Sequence, residues 1–288
     1  MYEFLLYRLI WRGRAVQINP LVVETEEERR IFERSESDSK KRKELRNKSV
    51  RKHTPDVEET QIIHRLWQKQ VLWHGNKFNA CVYGFDTNRT IDSSSALVKP
   101  NNVVWMDSTR LHTAAIMQPQ YRNRHHFMIF GGFLLRSSYE LAFCCCASFA
   151  HSRPRFVSLD PSTFETPVPV GSVLYLAATV VYTNPEAGDG EGTSTTQTSR
   201  GEGESETKKG TTPPSTTLVL VRVDSYVRNV EHGERKPTGT FNYSFEVDKD
   251  VKVMPRTYGE FMMYIDARRR SQTVTAMNAS FTNPGVVE

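Results

Sequence analysis

The chain has 288 residues and a mass of 33.0 kDa, with 38% hydrophobic and 25% charged residues and a mean hydropathy of −0.52. That supports at least one core but leaves part of the chain solvated rather than packed. No run of about 18 uncharged apolar residues occurs, which argues against a transmembrane helix, and four cysteines, three of them adjacent, exclude a disulfide scaffold. The net charge of +5 is local: residues 40–52 hold eight basic side chains against one acid, Glu44, a net +7 that leaves −2 for the remainder. A nucleic-acid-binding fold would spread basic charge over a folded face, so no specific nucleic-acid partner is expected.

In chain order, residues 4–11 are apolar and aromatic and read as a strand. Arg8, Arg12 and Arg14 give this stretch a superficial likeness to a transit peptide, but Glu3 stands at its front and serine is missing. No basic region precedes the apolar run, so it is not a signal peptide. Residues 24–52 are nearly all charged, with Glu26, Glu27 and Glu28 first and basic residues later, the order that suits a helix dipole. This predicts an exposed helix or linker, its basic block solvated rather than a patch for RNA or acidic lipid. Ile62, Ile63, Leu66 and Trp67 recur at helical spacing and predict a second helix over 58–73; residues 75–95 read as a loop.

The character changes at residue 103. A strand over 111–117 ends before Pro119, and Gly131 and Gly132 open a helix to Ala150 that is apolar on nearly all sides and so buried on most of them. Four strands follow, over 155–159, 172–183, 217–227 and 238–247. In the last, Phe241, Tyr243, Phe245 and Val247 alternate with Thr240, Asn242, Ser244 and Glu246, which marks one buried face. The low-complexity stretch 184–216 cannot bury a core and reads as a disordered hairpin loop. One long buried helix wrapped by a curved antiparallel sheet is an α+β solution.

Chemistry concentrates where that helix begins. Gly131 and Gly132 let the backbone approach a ligand closely, and their amides stand at a helix N-terminus, suited to a carbonyl or oxyanion oxygen. Asn123, His125 and His126 lie just upstream as polar candidates. Cys144, Cys145 and Cys146 point about 100° apart on a helix and cannot converge on one metal ion, so no metal site is expected there and the three read as small buried fillers.

Several linked stretches make the signal specific. They are Val104-Trp-Met-Asp-Ser-Thr-Arg-Leu111, Gln118-Pro-Gln-Tyr-Arg-Asn123, Ile129-Phe-Gly-Gly-Phe-Leu-Leu-Arg136, Tyr139-Glu-Leu-Ala142, Ser152-Arg-Pro154 and Phe164-Glu-Thr-Pro-Val-Pro-Val-Gly-Ser-Val173. In this order they resemble the acyl-CoA thioesterases of the hotdog superfamily, above all the C-terminal unit of the mitochondrial forms with two hotdog units in tandem. The resemblance runs over about 103–247, and Ile18-Asn-Pro-Leu21 and Ile63-His-Arg-Leu-Trp67 look like the link between units.

The resemblance implies a hotdog fold and four segments. Residues 1–23 would be a strand remnant of a first hotdog unit, 24–102 a charged helical linker and loop, 103–271 the thioesterase domain with its insert 184–216, and 272–288 a flexible tail. It also implies hydrolysis of fatty acyl-CoA to free acid and CoA without a cofactor. Asn123 would position water, with His125 as its substitute, while Gly131 and Gly132 supply oxyanion donors. Glu140 would act as a helix carboxylate reaching across a subunit interface. On so apolar a helix, Glu140 is expected to be desolvated, its pKa raised toward that of a base; the bland reading is a buried partner for Arg136.

Phosphates of CoA call for cations, and Arg153, Arg155 and the run Arg268-Arg269-Arg270 are the candidates. The acyl chain would lie in the apolar groove between helix and sheet. Pairing of hotdog units implies a homo-oligomer, and the resemblance implies a mitochondrial location. The relatives often have a glycine where His126-Phe127 stand here. That departure and the basic linker favour the alternative, a catalytically inactive acyl-CoA-binding or assembly subunit of a larger complex.

Overall fold

The computed structural model describes residues 7–9, 15–17, 21–47, 49–50, 52–74, 99–124, 128–160, 163–184, 216–228 and 233–282. The chain divides into two compact units, Met1–His53 and Thr54–Glu288. In the first, β1 (Tyr7–Leu9) pairs antiparallel with β2 (Ala15–Gln17), and α1 (Glu26–Asn47) carries the charged stretch. Glu26, Glu27 and Glu28 occupy the first turn of α1. Glu28 closes a capping box: its carboxylate accepts the Thr25 N–H, and the Thr25 hydroxyl accepts the Glu28 N–H in return. The exposed-helix reading therefore holds for α1. The loop read over 75–95, His125, His126 and nearly all of the insert lie outside the described residues.

In the second unit, α2 (Val57–His74) is followed by β3 (Val103–Trp105) and β4 (Leu111–Ile116), and then by α3 (Gly131–Ala150). Next come β5 (Arg155–Leu159), β6 (Thr163–Phe164), β7 (Val173–Thr183), β8 (Thr217–Arg228) and β9 (Arg235–Val247), then β10 (Lys252–Met254) and α4 (Tyr258–Thr282). The main sheet runs β4-β7-β8-β9-β5 with β6 also on β9, antiparallel at every pairing. A separate parallel pair joins β10 to β3, one departure from the all-antiparallel expectation.

Period-2 alternation fixes which face of the sheet meets α3. Leu174 and Leu176 of β7, Val223 of β8 and Phe241, Tyr243 and Phe245 of β9 are buried, and so are Leu134, Ser138, Ala142, Cys145, Cys146 and Phe149 of α3. Ser138, fully buried, shares a 2.6 Å hydrogen bond with the Tyr243 hydroxyl, which ties helix to sheet. Past Ala178 the alternation on β7 stops because α4 packs there as well: Tyr264 of α4 meets Tyr182 edge-on at 5.0 Å. The four strands read from the sequence are all present.

One expectation changes: residues 272–282, read as tail, continue α4 to Thr282. The helix α3 is buried on most sides, as expected, and Arg136, Glu140, Cys144 and Ser148, four residues apart, form an exposed stripe along it. Among the described residues no helix is long and apolar enough to cross a membrane.

Candidate active site

The entry to α3 is built by a short backbone ribbon. The Phe130 N–H bonds the Tyr121 carbonyl at 2.8 Å, and the Asn123 N–H bonds the Met128 carbonyl at 2.7 Å, with Arg122 bridged antiparallel to Ile129. Asn123 thus stands about 7 Å along this ribbon from the helix mouth, at 3.3 Å per residue. The mouth is open. Phe130 precedes the helix in an extended conformation, no side chain caps it, and no acid occupies the first turn. The first amide bonded inside the turn is that of Phe133, to the Phe130 carbonyl at 3.0 Å. The N–H groups of Gly131 and Gly132 have no acceptor among the described residues. Two adjacent unpaired donors therefore stand at the positive helix end, an arrangement suited to a carbonyl oxygen gaining charge.

Glu140 is elsewhere. Nine residues into the helix, it is about 13 Å along the axis from Gly131 at 1.5 Å per residue. It lines an open hollow of about 290 Å³ between α3 and strands β4 and β7, with Thr113, Ala115, Leu141, Cys144, Leu174 and Leu176. Asn123 is thus not part of the hollow that Glu140 lines. The expected desolvation of Glu140 is also overturned: its side chain is 57% exposed and bonds the Arg136 Nε at 2.8 Å. An exposed i,i+4 pair of this kind is screened by solvent, so Arg136 restrains Glu140 only weakly.

The phosphate candidates are mostly engaged. Arg155 forks onto Asp248 at 3.0 and 2.7 Å and reaches Glu246 at 3.3 Å. Arg269 bonds both Glu59 oxygens, at 2.7 and 2.6 Å, and Arg270 pairs with Asp266 at 3.0 Å and with buried Asp160 at 3.7 Å. Sequence reasoning missed these because each acid lies far from its arginine in sequence or on the next helical turn. Arg153 is exposed. The cysteine run divides: burial pushes the Cys145 and Cys146 thiols up to about 12 each, which makes them inert fillers, while Cys144 is exposed rather than buried. Among the described residues no group of three His, Cys, Asp or Glu is placed to hold a metal ion.

One buried helix lying across a curved antiparallel sheet, with bare glycine amides at its mouth, defines a hotdog-fold protein. No family model matches the chain. In sequence it is 31% identical over 259 residues to acyl-coenzyme A thioesterase 9, mitochondrial, of Mus musculus, which covers 90% of this chain and 48% of that one. It is 31% identical over 263 residues to mouse mitochondrial acyl-coenzyme A thioesterase 10, covering 91% and 49%. Among solved structures it is similar to an acyl-CoA hydrolase from Staphylococcus aureus in complex with butyryl-CoA and CoA, at 18% identity and a TM-score of 0.48, over 63% of this chain and 96% of that one. The chain is a relative of the mitochondrial acyl-CoA thioesterases, and it spans about half the length of the curated relatives it matches.

Proposed function

We propose that this chain hydrolyses fatty acyl-CoA to free acid and CoA. The observation that carries the reading is the open mouth of α3, where the Gly131 and Gly132 amides have no acceptor among the described residues, in a relative of acyl-CoA thioesterases. The thioester oxygen accepts from these amides. Water oriented by Asn123 adds to the carbonyl carbon, the C–S bond breaks, and CoA leaves as thiolate and takes up the proton lost by the water.

A carboxylate is still needed to receive that proton during attack. Since Glu140 of the same chain lies about 13 Å along the helix, the base is Glu140 of a second unit docked against α3 and the exposed edge strand β4. The working protein is therefore an oligomer, and we place it in mitochondria on its relatives' names. The exposure of Glu140 and its pairing with Arg136 favour a second reading, an acyl-CoA-binding or assembly subunit that does not turn over.

The test is release of free thiol from acyl-CoA of several chain lengths by wild type, Asn123→Ala and Glu140→Ala. Turnover by wild type with losses of about 10²-fold or more in each variant is expected. A folded wild type that releases no CoA but still binds it selects the second reading.

A further inference from the structure

The mouth of α3 is framed by two aromatic rings that lie open to solvent. Phe130 is 60% exposed and Phe164 is 47% exposed. Their position follows from the glycines. A methyl group at Gly132 would overlap Cε1 of the Phe130 ring and stand 3.1 Å from its Cδ1 and Cζ; one at Gly131 would stand 3.4 Å from Cζ of Phe164. On a helix the Cα–Cβ bond tilts toward the N-terminus. Atoms met by those methyl groups therefore lie on the N-terminal side, where the first-turn N–H groups also point.

The rings are held there. The Phe130 backbone is fixed by its N–H bond to Tyr121. Phe164 sits on β6, which pairs with β9 at Gly239, and its ring meets buried Phe241 edge-on at 5.7 Å. A side chain at 132 would displace the Phe130 ring, whereas one at 131 would meet Phe164 at ordinary contact distance, so it is Gly132 that leaves room for its ring beside the amides.

We propose that Phe130 and Phe164 form an apolar collar around the oxyanion amides. This rests on the thioesterase reading above and adds positioning residues to it. Donors in water are half-satisfied by solvent and gain little from a developing oxyanion. The same donors behind apolar walls gain much more. A thioester whose carbonyl enters between the rings displaces solvent from both sides, and its acyl carbons cover phenyl surface that is otherwise wet. The collar favours apolar acyl groups over polar ones of equal length and acts chiefly on the chemical step.

The experiment measures kcat and KM for a saturated acyl-CoA and for an ω-carboxylated acyl-CoA of equal length. It compares wild type, F164A, F130A and the conservative F164L and F130L, with melting temperature and sizing on each protein. The expected result is a kcat loss of about tenfold or more in the alanine variants on the saturated substrate, recovered largely by leucine, with KM changing less than kcat. Preference for the saturated over the carboxylated chain should narrow as well. An active wild type whose folded alanine variants keep kcat within twofold overturns the collar alone. So does a loss that tracks dissociation of the oligomer, which would make the rings interface contacts. A folded wild type that does not turn over overturns both the collar and the reading it rests on.

Discussion

The pair Glu59–Arg269 gives the sharpest test of how α2 is held to α4 within the second unit. Both side chains are largely buried, at 8% and 15% exposure, and two charge-assisted bonds of 2.7 and 2.6 Å join them. Arg269 also donates to the Thr54 carbonyl, and Glu59 accepts the Asp56 N–H at 3.0 Å as the closing residue of a helix cap. Glu59→Ala takes both carboxylate oxygens away from Arg269 and removes the cap. Breaking a buried pair costs about 3–5 kcal/mol, and the partial access of Arg269 brings the expectation to about 3 kcal/mol.

For a unit of this size, that lowers Tm by roughly 6–12 °C. Urea unfolding of wild type, Glu59→Ala, Arg269→Ala and the double variant should give a coupling of about 2 kcal/mol. The Arg269 hydrogen bond, aided by the Asp56 N–H, holds the Glu59 pKa below the ordinary carboxylate range. A lowered folded-state pKa means the stabilisation is full above the unfolded value, near 4.3, and is lost as pH falls through the folded one. The gap between wild type and Glu59→Gln should therefore be full at neutral pH and close in acid. A coupling under about 0.5 kcal/mol, or a gap that persists in acid, would refute the reasoning.

Two further outcomes follow from burial. At pH 8 a thiol reagent should label Cys144 in the native protein and spare Cys145 and Cys146, whose thiols sit near 12; peptide mass mapping checks it. Burial raises the Asp160 pKa, with Arg270 pulling it back only in part, so its charged form opposes folding. Asp160→Asn should gain stability relative to wild type as pH rises above about 4, read as a Tm difference that is small in acid and positive at neutral pH.

The helix mouth was legible in the sequence and the charges around it were not. Gly131-Gly132 before an apolar run marks a helix start from local chemistry alone, and the alternation from Thr240 to Val247 marks a strand from period alone. Both signals are contained within a few residues. The fate of an arginine is not. Arg269 meets an acid 210 residues away and Arg155 one 93 residues away, so a run that looked available for phosphates is consumed by the tertiary structure. Glu140 failed for a different reason. Mean apolarity says that α3 is mostly buried, but only the packing of sheet against helix decides which stripe is left out, and Arg136, Glu140 and Cys144 all lie on it. The α4 helix was missed because its run of arginines masked the buried Phe261, Tyr264 and Ile265.

The proposed division of the site between two copies makes a prediction that neither half makes alone. Gly131, Gly132 and Asn123 gather at one end of α3, while Glu140 lines a hollow about 13 Å along the axis. If each working site takes its amides and Asn123 from one unit and its carboxylate from another, Asn123→Ala and Glu140→Ala damage different partners of the same site. Each variant alone spoils every site. In a 1:1 mixture of freely exchanging subunits, half the pairs are mixed, and in each mixed pair one of two sites has both wild-type residues. Activity should then recover to about a quarter of wild type, from two proteins that are each nearly silent. Thiol release before and after mixing measures it, with native mass spectrometry of a mass-tagged subunit to verify exchange. Exchange without recovery would mean that Glu140 serves its own chain or serves no reaction, and the shared-site mechanism would fall while the helix mouth stayed as it is.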